Sequence, residues 1–275
     1  MNHPPKALLF DVFGTCVDWF GCVSRVLRPV ARRVNPEADV SAFTLAWRQA
    51  YYDGMAEVRE GRAPWRPVDA IHREALDRLL AEYAMDALSE RERVCLNGVW
   101  HRLAPWPDVA PGLQRLRQRH YVATLSNGNL GLLMDLARHA GLGWDTLFCS
   151  DLFKAFKPDP VTYLGACDLL GLAPAEVVMV AAHRGDLDAA RAVGLRTAFI
   201  SRPLENGGKV AADHADAGDY DWVCSGLDEL HQSLDSAPES GRDPAPVSAP
   251  VSAPVSAAEA APEPCTPTTM KETPA

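Results

Sequence analysis

Four short stretches carry the side chains in this chain that could do chemistry. The first closes an apolar run, Ala7-Leu8-Leu9-Phe10, with the carboxylate of Asp11 and continues through Phe13 and Gly14 to Thr15. An aspartate at the end of a buried strand can act as a nucleophile, although a turn-forming aspartate would look the same. The second stretch, Ser126-Asn127-Gly128-Asn129, offers small polar side chains and successive backbone N–H groups at a helix start. Such a segment can cradle an anion or simply cap the helix. In the third, Phe156-Lys157-Pro158-Asp159-Pro160, a lysine is fixed between turn residues, from where it can reach back to a carboxylate or stand solvated. The fourth, Ala181-Ala182-His183-Arg184-Gly185-Asp186, supplies a second carboxylate, either a site acid or the N-cap of the next helix.

These stretches can meet only if strands deliver them to one edge. Apolar runs at 7–10, 121–125, 147–149, 177–180, 197–200 and 222–224 have the length of strands covered on both faces. Between them the spacing predicts helices at 109–120, 129–140, 160–170 and 186–193, the last three stopped by Gly141, Gly171 and Gly194. Strand–helix alternation of this kind implies right-handed crossovers and a parallel α/β sheet. Ligands bind beyond the carboxyl ends of such strands, where all four stretches fall.

The segment after the first strand is different. It reads as helical from 19 to about 107, with amphipathic stretches at 23–34 (disturbed at Pro29) and 41–61. A further helix opens with Pro67 at its first position, and Ser89 with Glu92 has capping-box spacing for another. These helices form a candidate cap over the site. The division expected is a core of 1–18 and 106–236, a helical cap of 19–105, and a tail of 237–275. The tail repeats Ala-Pro-Val-Ser, has too little apolar bulk to offset its ordering entropy, and is expected to be disordered.

With 275 residues, 47% of them hydrophobic, the chain can build one large or two modest cores. Its net charge of −9 argues against nucleic acid or an anionic membrane surface as the main partner. No apolar run approaches the roughly 20 residues that span a bilayer, and the N-terminus lacks a secretory signal pattern. Seven scattered cysteines with no CxxC pair suit a reduced, cytoplasmic setting.

In their order, Asp-x-x-Gly-Thr at 11–15, Ser-Asn at 126–127, Lys-Pro-Asp at 157–159 and Gly-Asp at 185–186 resemble the haloacid dehalogenase superfamily over about residues 6–230. The resemblance implies a doubly wound, Rossmann-like core with an inserted cap and an aspartate nucleophile that forms a covalent intermediate. Most members are magnesium-dependent phosphatases. They carry a second aspartate two residues after the nucleophile and an acid four residues before the position of Asp186. Here those places hold Phe13 and Ala182. Magnesium needs hard oxygen ligands and phosphoryl transfer needs its charge neutralised, so a phosphatase is disfavoured.

A halide leaves without a proton or a metal, and the chain looks like the L-2-haloacid dehalogenase (type II) branch. Trp47-Arg48-Gln49, and Lys157-Pro158-Asp159 followed by Tyr163, match it further. The resemblance implies that Asp11 displaces halide with inversion and that water attacks the Asp11 carbonyl carbon, turning a short (S)-2-haloacid into an (R)-2-hydroxy acid without cofactor or metal. It implies that Arg48 binds halide or substrate carboxylate, that Ser126 holds the carboxylate, and that Lys157 keeps Asp11 ionised. It further implies that Thr15 hydrogen-bonds the nucleophile, that Asp186 holds or deprotonates the water, and that Asn127 helps to position it. Phe13, with Tyr52 and Trp65 as further candidates, is expected to wall the carbon–halogen bond, although each could equally be cap packing.

Loop four departs from the branch at Ala181, His183 and Gly185, where characterised members have Ser, Asn and Trp. His183 titrates near neutral pH and either assists the water or replaces an amide's hydrogen bond. The branch also allows a homodimer. Two other readings stand beside this one: a phosphate-ester hydrolase of the same fold, and a non-catalytic binding module.

Overall fold

The run Ala7–Phe10 forms β1, fully buried in the middle of a six-stranded parallel sheet. The other strands are β2 (Tyr121–Ser126), β3 (Thr146–Cys149), β4 (Val177–Ala181), β5 (Arg196–Ile200) and β6 (Trp222–Cys224), in the order β3-β2-β1-β4-β5-β6. The computed structural model describes residues 4–236. The expected disordered tail, 237–275, lies outside the described residues.

Side chains alternate across a strand, so an apolar strand needs cover on both faces. Leu8, Phe10, Val178 and Val180 enter one core cluster, while Ala7, Leu9, Val177 and Met179 enter the other. The first face is covered by α5 (Val109–Leu116), α6 (Leu130–Ala140) and α10 (Leu227–Asp235), through residues such as Leu113, Leu133 and Leu230. The second is covered by α8 (Pro160–Leu170) and α9 (Arg184–Ala192), through Tyr163, Ala166, Leu187 and Ala190. This is the doubly wound α/β architecture expected from the alternation.

Strand order reverses beside β1, and the registers Phe10↔Thr124 and Phe10↔Val180 bring Asp11, Leu125 and Ala181 to one level at the carboxyl edge. That reversal leaves a crevice in which ligands bind in open α/β sheets.

Between β1 and α5 lie α1 (Trp19–Val34), α2 (Val40–Arg59), α3 (Val68–Glu82), α4 (Glu90–Asn97) and a 3-10 turn, Gly98–Arg102. Asp18 and Asp39 cap α1 and α2 through their carboxylates, and Ser89 with Glu92 forms the expected capping box on α4. Close packing of α2 on α3 depends on Gly54, where a Cβ would meet Ile71 Cγ2 at 2.5 Å. Trp47 Nε1 donates to the His72 carbonyl across the same contact at 2.9 Å.

Several boundaries differ from expectation. Helix α1 runs unbroken through Pro29. Pro67 is the N-cap of α3 rather than its first residue, with extended backbone. Helix α5 stops at Leu116, because residues 117–120 turn back toward β2. A short helix, α7 (Ser150–Phe153), follows β3, where the sequence reading placed no element. Helix α9 begins at Arg184, so Asp186 lies inside its first turn and His183 takes the N-cap position. The expectation of Asp186 as a plain N-cap is thereby removed, and its carboxylate turns into the crevice instead.

Candidate active site

Strand β1 ends on Asp11, whose amide donates to the Val180 carbonyl and so ties the nucleophile candidate to β4. Beyond it the chain turns sharply, with Gly14 at φ +94°. Side chains from distant elements hold three successive carbonyls of this turn. Arg48 Nη2 donates to Phe13 O (3.3 Å), Trp106 Nε1 to Gly14 O (2.7 Å) and Arg202 Nε to Thr15 O (2.9 Å).

Asp11 is 7% exposed, and its carboxylate has donors on both oxygens. Oδ1 accepts from Lys157 Nζ at 3.0 Å. Oδ2 accepts from the Thr15 hydroxyl at 2.8 Å and faces His183 Nδ1 at 3.1 Å. Burial alone would raise the Asp11 pKa; the Lys157 ammonium, with His183, reverses this and holds the carboxyl well below the ordinary range. Asp11 is therefore an ionised carboxylate at any physiological pH.

Lys157 bridges Asp11 to Asp186, donating to Asp186 Oδ2 at 2.5 Å. Burial works against the Lys157 charge, yet the two carboxylates raise its pKa above the ordinary lysine value. Asp186 Oδ1 accepts from Tyr163 Oη at 2.6 Å. Each Asp186 oxygen keeps a further lone pair, and burial raises the pKa of this carboxyl. The third and fourth stretches thus converge on Asp11 as the sequence suggested.

The second stretch does something more local. Asn127 brackets the Lys157 backbone, accepting from its N–H at 2.6 Å and donating to its carbonyl at 3.4 Å. This sets the height of the lysine; the amide makes no contact with Asp11 among the hydrogen bonds of the described residues. Ser126 Oγ, buried at the end of β2, accepts from the Gly128 amide at 3.2 Å.

Arg48, on α2, comes to the site from the opposite side. It is 6% exposed, and its guanidinium lies over the rings of Tyr51 and Tyr52 (4.7 Å each), Trp19 (5.2 Å) and Phe13 (5.9 Å). Among the described residues its Nε and Nη1 have no acceptor. A buried cation with spare donors is a site for an anion. Beside it a cavity of about 370 Å³ is lined by Trp19, Arg48, Gln49, Tyr52, Asn206 and Val210.

Phe13 is buried, with its ring edge-on to Trp100 at 6.3 Å, and so belongs to the aromatic core as well as to the turn. Tyr52 lines the cavity, whereas Trp65 does not; its ring carries the Lys154 ammonium at 3.8 Å.

A family model described as a haloacid dehalogenase-like hydrolase matches residues 5–194. The chain belongs to the haloacid dehalogenase-like hydrolases. It is similar to (S)-2-haloacid dehalogenase 4A of Burkholderia cepacia, 32% identical over 204 residues that make up 72% of this chain and 83% of that protein. The crystal structure of an L-2-haloacid dehalogenase, 47% identical, matches with a TM-score of 0.80 over 85% of this chain and 100% of that one. That of a defluorinating L-2-haloacid dehalogenase, 40% identical, matches with a TM-score of 0.81 over 84% and 96%.

The magnesium of the phosphatase members of this family does not fit the residues here. Phe13 offers a ring, and its carbonyl is engaged by Arg48. Ala182 contributes only its N–H, to Thr15 Oγ1 at 2.9 Å. Lys157 stands between the two carboxylates that remain.

Two groups escaped the reading of the sequence. Glu205, 4% exposed, accepts from Trp19 Nε1 at 3.1 Å and faces His183 Nε2 at 2.9 Å. Arg202 pairs with Asp108 through both terminal nitrogens at 2.9 Å each. Both lie in the irregular chain after β5, where no periodicity marks a residue. The one sequence signal was Gly14, since a Cβ there would meet Glu205 Oε1 at 2.1 Å.

Proposed function

We propose that this chain hydrolyses the carbon–halogen bond of short (S)-2-haloacids, giving (R)-2-hydroxy acids through an ester on Asp11. The observation that carries the reading is the buried row Asp11–Lys157–Asp186, in a site where Phe13 and Ala182 replace the carboxylates that phosphoryl transfer requires. Similarity to the (S)- and L-2-haloacid dehalogenases supports it.

In the first step an Asp11 oxygen attacks the alpha carbon from the side opposite the halogen, forming a carbon–oxygen bond as the carbon–halogen bond breaks. Lys157 keeps Asp11 ionised. Arg48, with its spare Nε and Nη1 donors, receives the departing halide or the substrate carboxylate. Ser126 and the backbone N–H groups after it hold the carboxylate, and Phe13 walls the reacting carbon. In the second step water adds to the Asp11 carbonyl carbon and gives a proton to Asp186, whose raised pKa suits that task. Asn127 acts through Lys157, which it positions. Residues 19–105 serve as a cap that brings Arg48 to the site.

The reading includes a cytoplasmic setting, supported by six free cysteines among the described residues, and a homodimer, which sedimentation would measure. No described helix is long and apolar enough to cross a membrane.

Halide release from L-2-chloropropionate, with and without EDTA, tests the function. Chelator-insensitive release that disappears in Asp11→Asn supports it. Turnover of a phosphate ester only with Mg²⁺, and none of the haloacid, would replace it with the phosphatase reading.

A further inference from the structure

The two oxygens of Asp11 are not equivalent. Among the described residues Oδ1 meets a single donor, Lys157 Nζ at 3.0 Å. Oδ2 meets two, the Thr15 hydroxyl at 2.8 Å and His183 Nδ1 at 3.1 Å. The Ala182 amide donates to Thr15 Oγ1, which commits the Thr15 hydrogen to Asp11. Oδ1 therefore has the freer lone pair for attack on carbon, and Oδ2 is left as the carbonyl oxygen of the ester. On the far side of the His183 ring, Nε2 meets Glu205 Oε1 at 2.9 Å, and Trp19 Nε1 holds that same oxygen.

We propose that His183 is a catalytic residue of ester hydrolysis, its Nδ1–H and the Thr15 hydroxyl together forming the oxyanion site for Asp11 Oδ2, with Glu205 as the residue that positions the ring. This deepens the proposed dehalogenase reading and rests on it. When water adds to the Asp11 carbonyl carbon, its oxygen forms the new bond, one proton passes to Asp186, and negative charge collects on Oδ2. The intermediate then reforms the carbonyl and breaks the bond between that carbon and the substrate-bound oxygen. The proton left on the attacking oxygen goes to the departing alkoxide, so the hydroxy acid leaves and the Asp11 carboxylate returns. Asp186 releases its proton to solvent.

His183 stands to gain from its surroundings as a donor, not as a base. It faces carboxylates through both nitrogens, from the end of β1 (Asp11) and from the chain after β5 (Glu205). Of the neighbouring cations, Lys157 pairs with Asp11 and Asp186, Arg48 lies over Tyr51 and Tyr52, and Arg184 is turned to Asp219. In the free protein burial opposes the charge, but the Glu205 and Asp11 carboxylates raise the His183 pKa well above its ordinary value; in the ester Asp11 is uncharged and Glu205 alone sustains the shift. Removing one oxyanion donor from an acyl-transfer site costs roughly 10²–10³-fold in rate.

Ester formation and hydrolysis are separated by single-turnover halide release and by mass spectrometry of the Asp11 peptide. In His183→Ala one equivalent of halide should appear, an adduct should accumulate on Asp11, and hydrolysis should slow roughly 10²-fold. The wild-type hydrolysis rate should fall as pH rises through the His183 pKa. That alkaline limb should vanish in His183→Asn, which keeps a neutral donor, and should move to lower pH in Glu205→Gln. A hydrolysis rate that rises with pH through the same group would make His183 a general base and overturn the assignment. So would an unchanged hydrolysis rate in His183→Ala, or loss of the halide burst without an adduct. Absence of halide release by the wild type would instead remove the dehalogenase reading itself.

Discussion

The guanidinium of Arg202 grips Asp108 at two points, 2.9 Å each, and uses its remaining Nε–H on the Thr15 carbonyl. Asp108 also accepts from the Leu227 amide at 2.9 Å, so one ion pair joins the nucleophile turn, the start of α5 and the start of α10. Arg202 is buried and Asp108 is only partly so, and the arrangement depends on the planar fork that lysine lacks. Arg202→Ala should lower the unfolding free energy by about 2–4 kcal/mol, since the partner carboxylate is left without its cation. Arg202→Lys should recover less than half of that. Urea denaturation of the three proteins measures it, and equal midpoints would show that the pair does not fix this corner.

Lys157 is the only cation within hydrogen-bonding reach of both Asp11 and Asp186 among the described residues. Its loss should be felt as a protonation change as well as a lost contact. In Lys157→Met, only His183 and Thr15 would be left to offset burial at the Asp11 carboxyl, and its pKa would rise. Halide release should fall by roughly 10²-fold or more at neutral pH and recover in part as the pH rises and Asp11 ionises. A loss that is the same at every pH would mean that the lysine acts only by position.

Arg48 combines an aromatic enclosure with donors that have no acceptor among the described residues. Arg48→Lys keeps the charge but not the fork or the ring stacking. It should raise KM for the haloacid by roughly tenfold or more, the worth of a lost charge-assisted hydrogen bond. Chloride should also inhibit the variant less than the wild type. Steady-state kinetics with added chloride would show either result, and an unchanged KM would place the anion elsewhere.

Asp11, Lys157 and Asp186 were legible because each follows a strand whose apolar content marks it as buried, and a carboxylate or ammonium placed there needs a reason. The sheet itself was legible for the same reason. Glu205 and Arg202 were not, because what makes them matter is distant in the chain. Trp19 and Glu205 are 186 residues apart, and the intervening segment after β5 has no repeat that assigns a face. The contact made by Asn127 also needed coordinates: an amide can serve a water or a backbone equally well, and the 2.6 Å contact shows that this one reaches the Lys157 N–H. The start of α9 was misplaced by two residues because Leu187 and Ala190 would be buried with either beginning.

A last relationship ties the helices after β1 to the sheet. His101 Nε2 meets Asp69 Oδ1 on α3 at 3.0 Å, and its Nδ1 meets Asp135 Oδ2 on α6 at 2.8 Å. Asp69 also accepts from Asn129 Nδ2 at 2.9 Å, beside the second stretch of the site. The hydrogen bond to Asp69, helped by Asp135 and opposed by burial, raises the His101 pKa. A histidine whose folded pKa exceeds its unfolded value adds stability that is fully present below the unfolded value of about 6.5 and is lost as pH rises through the folded one. The amount should be modest, about 1 kcal/mol, because the Asp135 side chain is 66% exposed and screened by solvent. His183 contributes a slope of the same sign, so the difference between the wild type and His101→Gln isolates this site. Urea midpoints measured between about pH 6 and 9 should converge for the two proteins as the pH rises. Curves that stay parallel over that range would mean that the His101 charge does not join these elements.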